Sequence, residues 1–133
     1  MVFADTSGLI AAFDHRDPSH AAGRKAWRLL SAGRQRILLT EFVVAETVTL
    51  LRRRGGWAVS REVGEAIRTS RVMEVVALDQ EACSAAWREF VRNPDPKLSF
   101  CDAASFVTMR ERGIGEAFTL DRHFREAGFR TIP

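Results

Sequence analysis

The sequence predicts an α/β fold in which helices cover both faces of a mostly parallel β-sheet. The first observation behind this prediction is that short apolar runs alternate with longer segments of helical periodicity along the chain. The second is that apolar runs separated by helices are typical of parallel strands, which are buried on both faces. The third is the length of 133 residues, which suits one domain. We therefore expect residues 1–133 to form a single three-layer α/β/α domain.

Five apolar runs are the candidate strands of this sheet. Each is short and is followed by polar or turn-forming residues, which is the usual pattern of a buried strand. In chain order, the predicted strands are residues 2–4, 36–40, 72–78, 117–120 and 131–132. Because longer segments separate them, neighbouring strands are expected to be joined by helices and to run in parallel.

Apolar residues at intervals of three and four identify four helices between these runs. They are residues 19–31, 41–54, 57–70 and 81–91. A fifth helix is predicted to begin at Ser99, because Ser99 followed by Asp102 matches the capping-box pattern of a helix N-terminus. The turn-rich segment 93–97 precedes this helix, and Gly55-Gly56 ends the helix that begins at residue 41.

The composition indicates a globular protein without a membrane segment. Hydrophobic residues make up 46% and charged residues 28% of the chain, unlike a disordered or fibrous protein. Asp5 interrupts the N-terminal apolar run, so the segment lacks the features of a signal peptide. The most apolar stretch, residues 37–51, contains two glutamates and is too short to cross a bilayer. We expect a cytoplasmic location and no contact with membranes.

The charge and the cysteines give weaker indications. Twenty Lys and Arg against 17 Asp and Glu give a formal net charge of +3, which is compatible with a polyanionic partner. Cys83 and Cys101 lie in helical segments without the spacing of a metal site. We expect both to be buried, reduced thiols.

Acidic residues stand at the ends of three predicted strands. Asp5 follows the first strand, Asp79 the third and Asp121 the fourth. Because parallel strands bring their carboxyl ends to one edge of a sheet, these acids are candidates for a shared site. Local context does not separate the three. Asp79 before Gln80 also matches a simple helix N-cap.

Two further acids interrupt apolar helical stripes. Glu46 shares a helix face with Phe42 and Leu50, and Asp102 shares one with Phe106. A carboxylate on a core-facing stripe requires a partner, since acids are rarely buried alone. The alternatives are that Glu46 lies at the margin of its stripe and pairs with a basic residue, and that Asp102 only caps its helix.

Convergence of Asp5, Glu46, Asp102 and Asp121 would require a cation. Two carboxylates about 4 Å apart repel by roughly 4 kcal/mol at an effective dielectric constant near 20. No histidine or cysteine accompanies the four acids in these patterns, so a hard, oxygen-seeking ion such as Mg²⁺ or Mn²⁺ is expected rather than zinc. Such ions commonly act on phosphate groups.

Four segments of the sequence together resemble a known family. In chain order they are VFADTSGLIAAFDHRDPSHAAG, TEFVVAETVTLLRRRGG, LSFCDAASFVTMRERG and AFTLDRHF. Their order and spacing resemble those of PIN domains, and most closely the VapC-type ribonuclease toxins of bacterial VapBC toxin–antitoxin pairs. The resemblance covers essentially the whole chain. No single segment is specific, but four in order make a strong signal.

The resemblance implies a fold, an activity and a catalytic site. PIN domains have a parallel sheet of about five strands between helices and an acidic pocket that binds Mg²⁺ or Mn²⁺. The implied activity is endonucleolytic hydrolysis of RNA phosphodiester bonds, leaving a 5′-phosphate. The family's catalytic and metal-binding acids correspond here to Asp5, Glu46, Asp102 and Asp121. Asp5 and Asp102 are the expected direct ligands, and Asp79 has no catalytic counterpart. Ser99 is expected to cap its helix alone, leaving Asp102 to the pocket.

Supporting and substrate-binding residues are expected around the acids. Ser7 and Thr119 match hydroxyl positions that support the carboxylates. The candidate RNA-binding residues are Arg52, Arg53, Arg54, Lys97, Arg122 and Arg125, with Arg24, Lys25 and Arg28 as further candidates. The three consecutive arginines also suit the last turn of a helix, where positive charge complements the helix dipole. His15, His20 and His123 are interpreted as surface or packing residues, and only His123, just after Asp121, is a candidate for testing.

The resemblance also implies partners. VapC-like toxins form homodimers and are inhibited by a VapB-like antitoxin, whose C-terminal segment lies in a groove and reaches the active site. An apolar surface around Trp27, Leu29 and Leu30 and the helix that carries Phe42 is a candidate for such contacts, although core packing would explain most of these residues equally well.

Two alternatives to RNA cleavage come from other function classes. The first is a PIN-like protein that binds RNA or a partner without cleaving it, and the presence of all four acids argues against it. The second is an aspartyl phosphotransfer domain with Asp5 as the nucleophile. The segment from Asp5 to Ser7 lacks the Asp-x-Asp arrangement of such proteins, and no lysine follows a late strand.

Overall fold

The computed structural model describes residues 1–33 and 35–133. Within these ranges, five parallel strands form one sheet in the order β3-β2-β1-β4-β5, flanked by helices. The elements in chain order are β1 (Val2–Ala4), α1 (Thr6–Phe13), α2 (His20–Ala32), β2 (Ile37–Thr40), α3 (Glu41–Gly55), α4 (Trp57–Thr69), β3 (Met73–Val76), α5 (Gln80–Arg92), α6 (Phe100–Glu111), β4 (Glu116–Phe118), α7 (Arg122–Glu126) and β5 (Arg130–Ile132). The predicted α/β fold with a parallel sheet of about five strands is confirmed.

The predicted strands and helices are all present, with ends that differ by one or two residues. Strand β4 ends at Phe118 rather than at Leu120, because the Thr119 hydroxyl accepts a hydrogen bond from the Asp121 amide and the chain turns into α7. Two helices were not predicted. Helix α1 is buried on most of its surface and so has no polar face to mark its period, and α7 has only five residues.

The order of the strands places the end of β1 in a crevice. The chain builds the sheet outward from β1 through β2 to β3, and then returns to the other side of β1 to add β4 and β5. The direction of construction therefore reverses between β1 and β4, and ligands of open α/β sheets bind outside the strand carboxyl ends at such a point. Asp5 follows β1 and Asp121 follows the end of β4 there.

Helix α1 packs closely against the end of β4, and a glycine permits this approach. A Cβ atom on Gly8 would lie 2.4 Å from the carbonyl oxygen of Phe118. Only a residue without a side chain fits there. The start of α1, which carries Ser7, is thereby held beside the segment that begins at Thr119.

Most of the residues that were considered for an apolar contact surface pack into the core instead. Leu30 is buried, and Trp27 packs against Phe13 and Phe118 with ring centroids 5.2 and 5.7 Å apart. Leu29, in contrast, is 68% exposed. The alternative of core packing is therefore correct for Trp27 and Leu30. Among the described residues, we find no helix whose length and apolar content would let it cross a bilayer.

Candidate active site

The structure brings the four predicted acids into one cavity at the carboxyl edge of the sheet. Asp5 and Asp121 are the N-caps of α1 and α7, whereas Glu46 and Asp102 project from α3 and α6. All four line a cavity of about 460 Å³. Asp79 does not line it and caps α5 by accepting a hydrogen bond from the Ala82 amide. The catalytic role of the four acids stays a prediction.

Asp5 is fixed by the two hydroxyl residues that were expected to support the acids. Its Oδ2 atom accepts hydrogen bonds from Ser7 Oγ at 2.7 Å, from Thr119 Oγ1 at 2.9 Å and from the Ser7 amide at 3.1 Å. Ser7 Oγ in turn accepts a hydrogen bond from the Leu120 amide. Because three donors converge on one oxygen, the carboxylate has a fixed orientation and its Oδ1 atom is left for another ligand.

Glu46 is held by a residue that sequence reasoning did not select. Thr6, which is 6% exposed, donates a hydrogen bond from Oγ1 to Glu46 Oε2 at 2.6 Å. Within the described residues Glu46 forms no ion pair, so the alternative in which it pairs with a basic residue is wrong. Thr6 stands beside Asp5 in the sequence, but nothing in its local pattern indicates a partner 40 residues away.

Asp102 both caps its helix and faces the cavity. The Asp102 amide donates to Ser99 Oγ at 3.0 Å, and the Ser99 amide donates to Asp102 Oδ2 at 2.8 Å. The expectation that Ser99 caps α6 alone is therefore wrong, because the reciprocal capping box is complete. Only Oδ2 is used in the cap, so the side chain still presents Oδ1 to the cavity.

Asp121 is held by His123, which is not a surface residue. His123 is 4% exposed, and its Nδ1 atom lies 2.7 Å from Asp121 Oδ1, which also accepts the His123 amide at 2.9 Å. The Nε2 atom lies 3.0 Å from Asp95 Oδ2. Burial lowers the pKa of His123, but the hydrogen bonds with Asp95 and Asp121 outweigh it, so the net pKa is raised. The interpretation of His123 as a surface residue or mere packing is incomplete.

One pattern is common to the four carboxylates. In each, every hydrogen bond of 3.1 Å or less from the described part of the chain falls on one oxygen, and the other oxygen is less engaged. Oriented carboxylate oxygens are the ligands that hard divalent cations prefer. Carboxylate oxygens of Asp102 and Asp121 also lie within 4.8 Å of each other. The residues present therefore fit a divalent metal ion.

Two acids of the cluster, Asp5 and Asp102, have pKa values above the usual range of an aspartate. Burial raises the pKa of Asp5, although hydrogen bonds from Ser7 and Thr119 oppose the change. Burial, with the negative charges of Asp5 and Asp121, raises the pKa of Asp102 to about 6 against the opposing hydrogen bonds from Ser99. A bound cation would stabilise the ionised carboxylates and so lower these pKa values. The metal-bound, deprotonated cluster is therefore favoured over the metal-free, protonated one.

The expectation that no histidine or cysteine accompanies the acids is wrong, because His123 holds Asp121 and Cys101 borders the carboxylates. Burial raises the pKa of the Cys101 thiol well above the usual range, and the carboxylates of Glu46, Asp5 and Asp102 add to the effect. The thiol therefore stays protonated and is a poor metal ligand. Both cysteines are free, as expected, but only Cys101 is buried; the prediction of burial is wrong for Cys83, which is half-buried.

Only some of the candidate RNA-binding residues reach the cavity. Arg54 and Lys97 line it, and Arg54 lies 3.7 Å from Asp17 on the same rim. Arg122 is engaged in ion pairs with Asp95 and Glu126. The remaining candidates are exposed but do not line the cavity; they are Arg24, Lys25, Arg28, Arg52, Arg53 and Arg125.

Comparison with known proteins gives the same family as the sequence patterns. A family model described as the PIN domain matches residues 2–130. The 23S rRNA-specific endonuclease VapC20 of Mycobacterium tuberculosis, in strains CDC 1551 / Oshkosh and H37Rv, is 35% identical over 130 residues, covering 97% of this chain and 95% of the relative.

A solved structure shows the same relationship in three dimensions. The crystal structure of M. tuberculosis VapC20, described as a sarcin-ricin loop cleaving toxin, is 32% identical in sequence, with a TM-score of 0.87. The match covers 97% of this chain and 96% of that one. The resemblance to VapC-type proteins is confirmed, and the chain belongs to the PIN domain family.

Proposed function

We propose that this protein is a divalent-metal-dependent endoribonuclease that hydrolyses RNA phosphodiester bonds. The observation that carries the proposal is the group of four carboxylates around one cavity, each with one oxygen held and the other less engaged. The relation to the VapC20 endonucleases supports RNA as the substrate. The unit that acts is a single PIN domain spanning residues 1–133.

The chemistry follows from the orientation of the acids. A divalent metal bound among them would activate water and stabilise the charge on the leaving oxygen. Asp5 and Asp102 would hold it most directly, and Glu46 and Asp121 would complete the site. Because the ligand atoms available to a metal are all carboxylate oxygens, Mg²⁺ or Mn²⁺ suits the site better than zinc. The product end is a 5′-phosphate.

The proposed partners follow from the VapC relatives. Ribosomal 23S RNA is the first substrate to test, because the relatives are named for it. We further propose that the protein acts in the cytoplasm as the toxin of a type II pair, forms a homodimer and is inhibited by a VapB-like antitoxin. The alternative of a non-cleaving binding domain is less well supported, since binding alone does not need four oriented carboxylates.

The proposal is tested by incubating the purified chain with ribosomes or isolated 23S rRNA in Mg²⁺ or Mn²⁺. We expect discrete fragments with 5′-phosphate ends, which sequencing of the new 5′ ends would locate. EDTA should abolish the cleavage, and an excess of Mn²⁺ should restore it. Cleavage that persists in EDTA after extensive dialysis would contradict the proposal, as would intact RNA at every metal concentration, across ribosomal, transfer and messenger substrates.

Arg54 and Lys97 are expected to bind the phosphate backbone of the RNA. Replacing either by a neutral residue, as Arg54→Gln or Lys97→Gln, should raise KM by about 10- to 150-fold, since a hydrogen bond to a charged group contributes about 1.5–3 kcal/mol. The dependence of log KM on log salt should lose about 0.7 in slope per lost contact with a single strand. Steady-state cleavage at several salt concentrations measures both effects.

Arg52→Gln and Arg53→Gln are the matched controls for Arg54. They remove the same charge from the same helical turn, but their side chains do not line the cavity. We expect little change in KM for either. An equal effect at all three arginines would mean that they act only through general charge or the helix dipole.

A further inference from the structure

We propose that His123 is a positioning residue that sets the orientation of Asp121 and ties it to Asp95, so that Asp121 and Asp102 face the same metal ion. The inference rests on the proposed metal-dependent site. It assigns His123 no contact with substrate or metal, and concerns only how one acid of the cluster is held.

His123 controls the rotation of the Asp121 carboxylate. Two hydrogen bonds from the same residue, from the backbone amide and from ring Nδ1, meet on Asp121 Oδ1 at 2.9 and 2.7 Å. The hydrogen bond from the backbone amide is an ordinary N-cap contact, and by itself it would let the carboxylate group rotate about its bond to Cβ. The hydrogen bond with ring Nδ1 restricts this rotation, so that Oδ2 stays on the side of the cavity.

The other side of the ring is anchored in the loop before α6. Nε2 of His123 lies 3.0 Å from Asp95 Oδ2, while Asp95 Oδ1 accepts the Lys97 amide at 2.9 Å. The Asp95 carbonyl also accepts the Leu98 amide, directly before Ser99, the N-cap of α6. A buried ring thus links the segment that carries Asp121 to the loop that leads into the helix of Asp102.

The same contacts exclude His123 as a metal ligand. The backbone amide of Lys97, then His123 and Arg122, hold the pKa of Asp95 well below its usual value, so its carboxylate is ionised and only accepts hydrogen bonds. Each ring nitrogen already lies within 3.0 Å of a carboxylate oxygen, Nδ1 of Asp121 and Nε2 of Asp95, so neither nitrogen is left to bind a metal ion. Ligand atoms of His123 lie within 4.8 Å of those of Asp102 and Asp121 because the ring supports Asp121, not because the ring binds the metal.

Two substitutions separate the two contacts of the ring. The amide nitrogen of asparagine falls near the position of Nδ1, so His123→Asn can keep a donor for Asp121. The amide of glutamine falls near Nε2, so His123→Gln can reach Asp95 but not support Asp121. We expect Mn²⁺ affinity, measured by calorimetry without RNA, to fall about 10–100-fold in His123→Gln and clearly less in His123→Asn.

Kinetics give a second readout that a purely structural role would not produce. In His123→Gln, kcat for RNA cleavage should fall with the metal affinity at a fixed Mn²⁺ concentration, while KM for RNA stays near the wild-type value. An excess of Mn²⁺ should recover part of kcat. His20→Asn is the matched control, because that ring forms a hydrogen bond with the Ala11 carbonyl at 2.8 Å and His20 does not line the cavity, so Mn²⁺ affinity should stay unchanged.

The outcomes separate this inference from the proposed function. Wild-type Mn²⁺ affinity in a folded His123→Gln protein would overturn the positioning role, as would equal losses in His123→Asn and His123→Gln. If the wild-type protein binds Mn²⁺ but cleaves no RNA, the proposed function fails, and the affinities still decide the role of His123. Circular dichroism and thermal melting establish that each variant is folded.

Discussion

Replacing Asp5 by asparagine is expected to lower kcat for RNA cleavage by at least about 10³-fold, equivalent to about 4 kcal/mol of transition-state stabilisation. Asp5 lies deepest in the cluster, 3% exposed, and three donors already hold its Oδ2 atom. In the variant, the amide carbonyl can take over these contacts. The amide NH₂ then faces the metal site, where it offers a hydrogen-bond donor in place of an anionic ligand.

The fold should survive this change. Asparagine is as good an N-cap as aspartate, so α1 keeps its first hydrogen bond. Asp79→Asn is the matched control, because Asp79 also follows a strand and caps a helix but does not line the cavity. We expect wild-type activity from it. Cleavage by Asp5→Asn at the wild-type rate, in a protein with an unchanged melting profile, would refute the site assignment.

Asp102→Asn should be equally inactive, and it should change how stability depends on pH. The folded pKa of Asp102, about 6, lies above its unfolded value of 3.8. The contribution of this group to stability is therefore complete below about pH 4 and is lost as the pH rises through 6. Asparagine carries no charge at any of these values and can still accept the Ser99 amide in the capping box.

The measurement is the melting temperature of both metal-free proteins between pH 4 and 8. We expect the variant to become more stable relative to wild type as the pH rises through about 6. In wild type, Mn²⁺ affinity should fall as the pH drops below this value, because protons then compete with the metal. A stability difference that stays constant across this range would show that Asp102 is not a buried, strained acid.

The acidic residues themselves were predictable because their chemistry contradicts their local pattern. Glu46 and Asp102 stand on faces that helical periodicity assigns to the core, and Asp5 follows a strand whose end had to lie at the edge of a parallel sheet. Such conflicts between pattern and residue type are expected at functional sites. They do not depend on contacts, so the sequence is sufficient to find them.

The supporting residues were predictable only in part. Ser7 lies two residues from Asp5, so the hydroxyl and the N-cap it serves belong to one local motif. Thr6 and His123 are just as close to the acids in sequence, but Thr6 contacts Glu46, and the far side of the His123 ring contacts Asp95, both in other parts of the chain. A threonine at the start of a helix or a histidine after an aspartate has no local feature that predicts such a contact.

Periodicity and residue type are properties of short segments, so they were sufficient to predict the fold class and the order of the elements. The choice of the four acids over Asp79 also needed the resemblance to PIN domains. Which oxygen of each acid is held, and which one faces the cavity, follows only from the packing of the folded chain. Those choices depend on donors that arrive from distant parts of the chain, such as Thr119 on Asp5, 114 residues away. Which donors meet depends on how separate strands and helices pack, and that is set by the whole core rather than by any one segment.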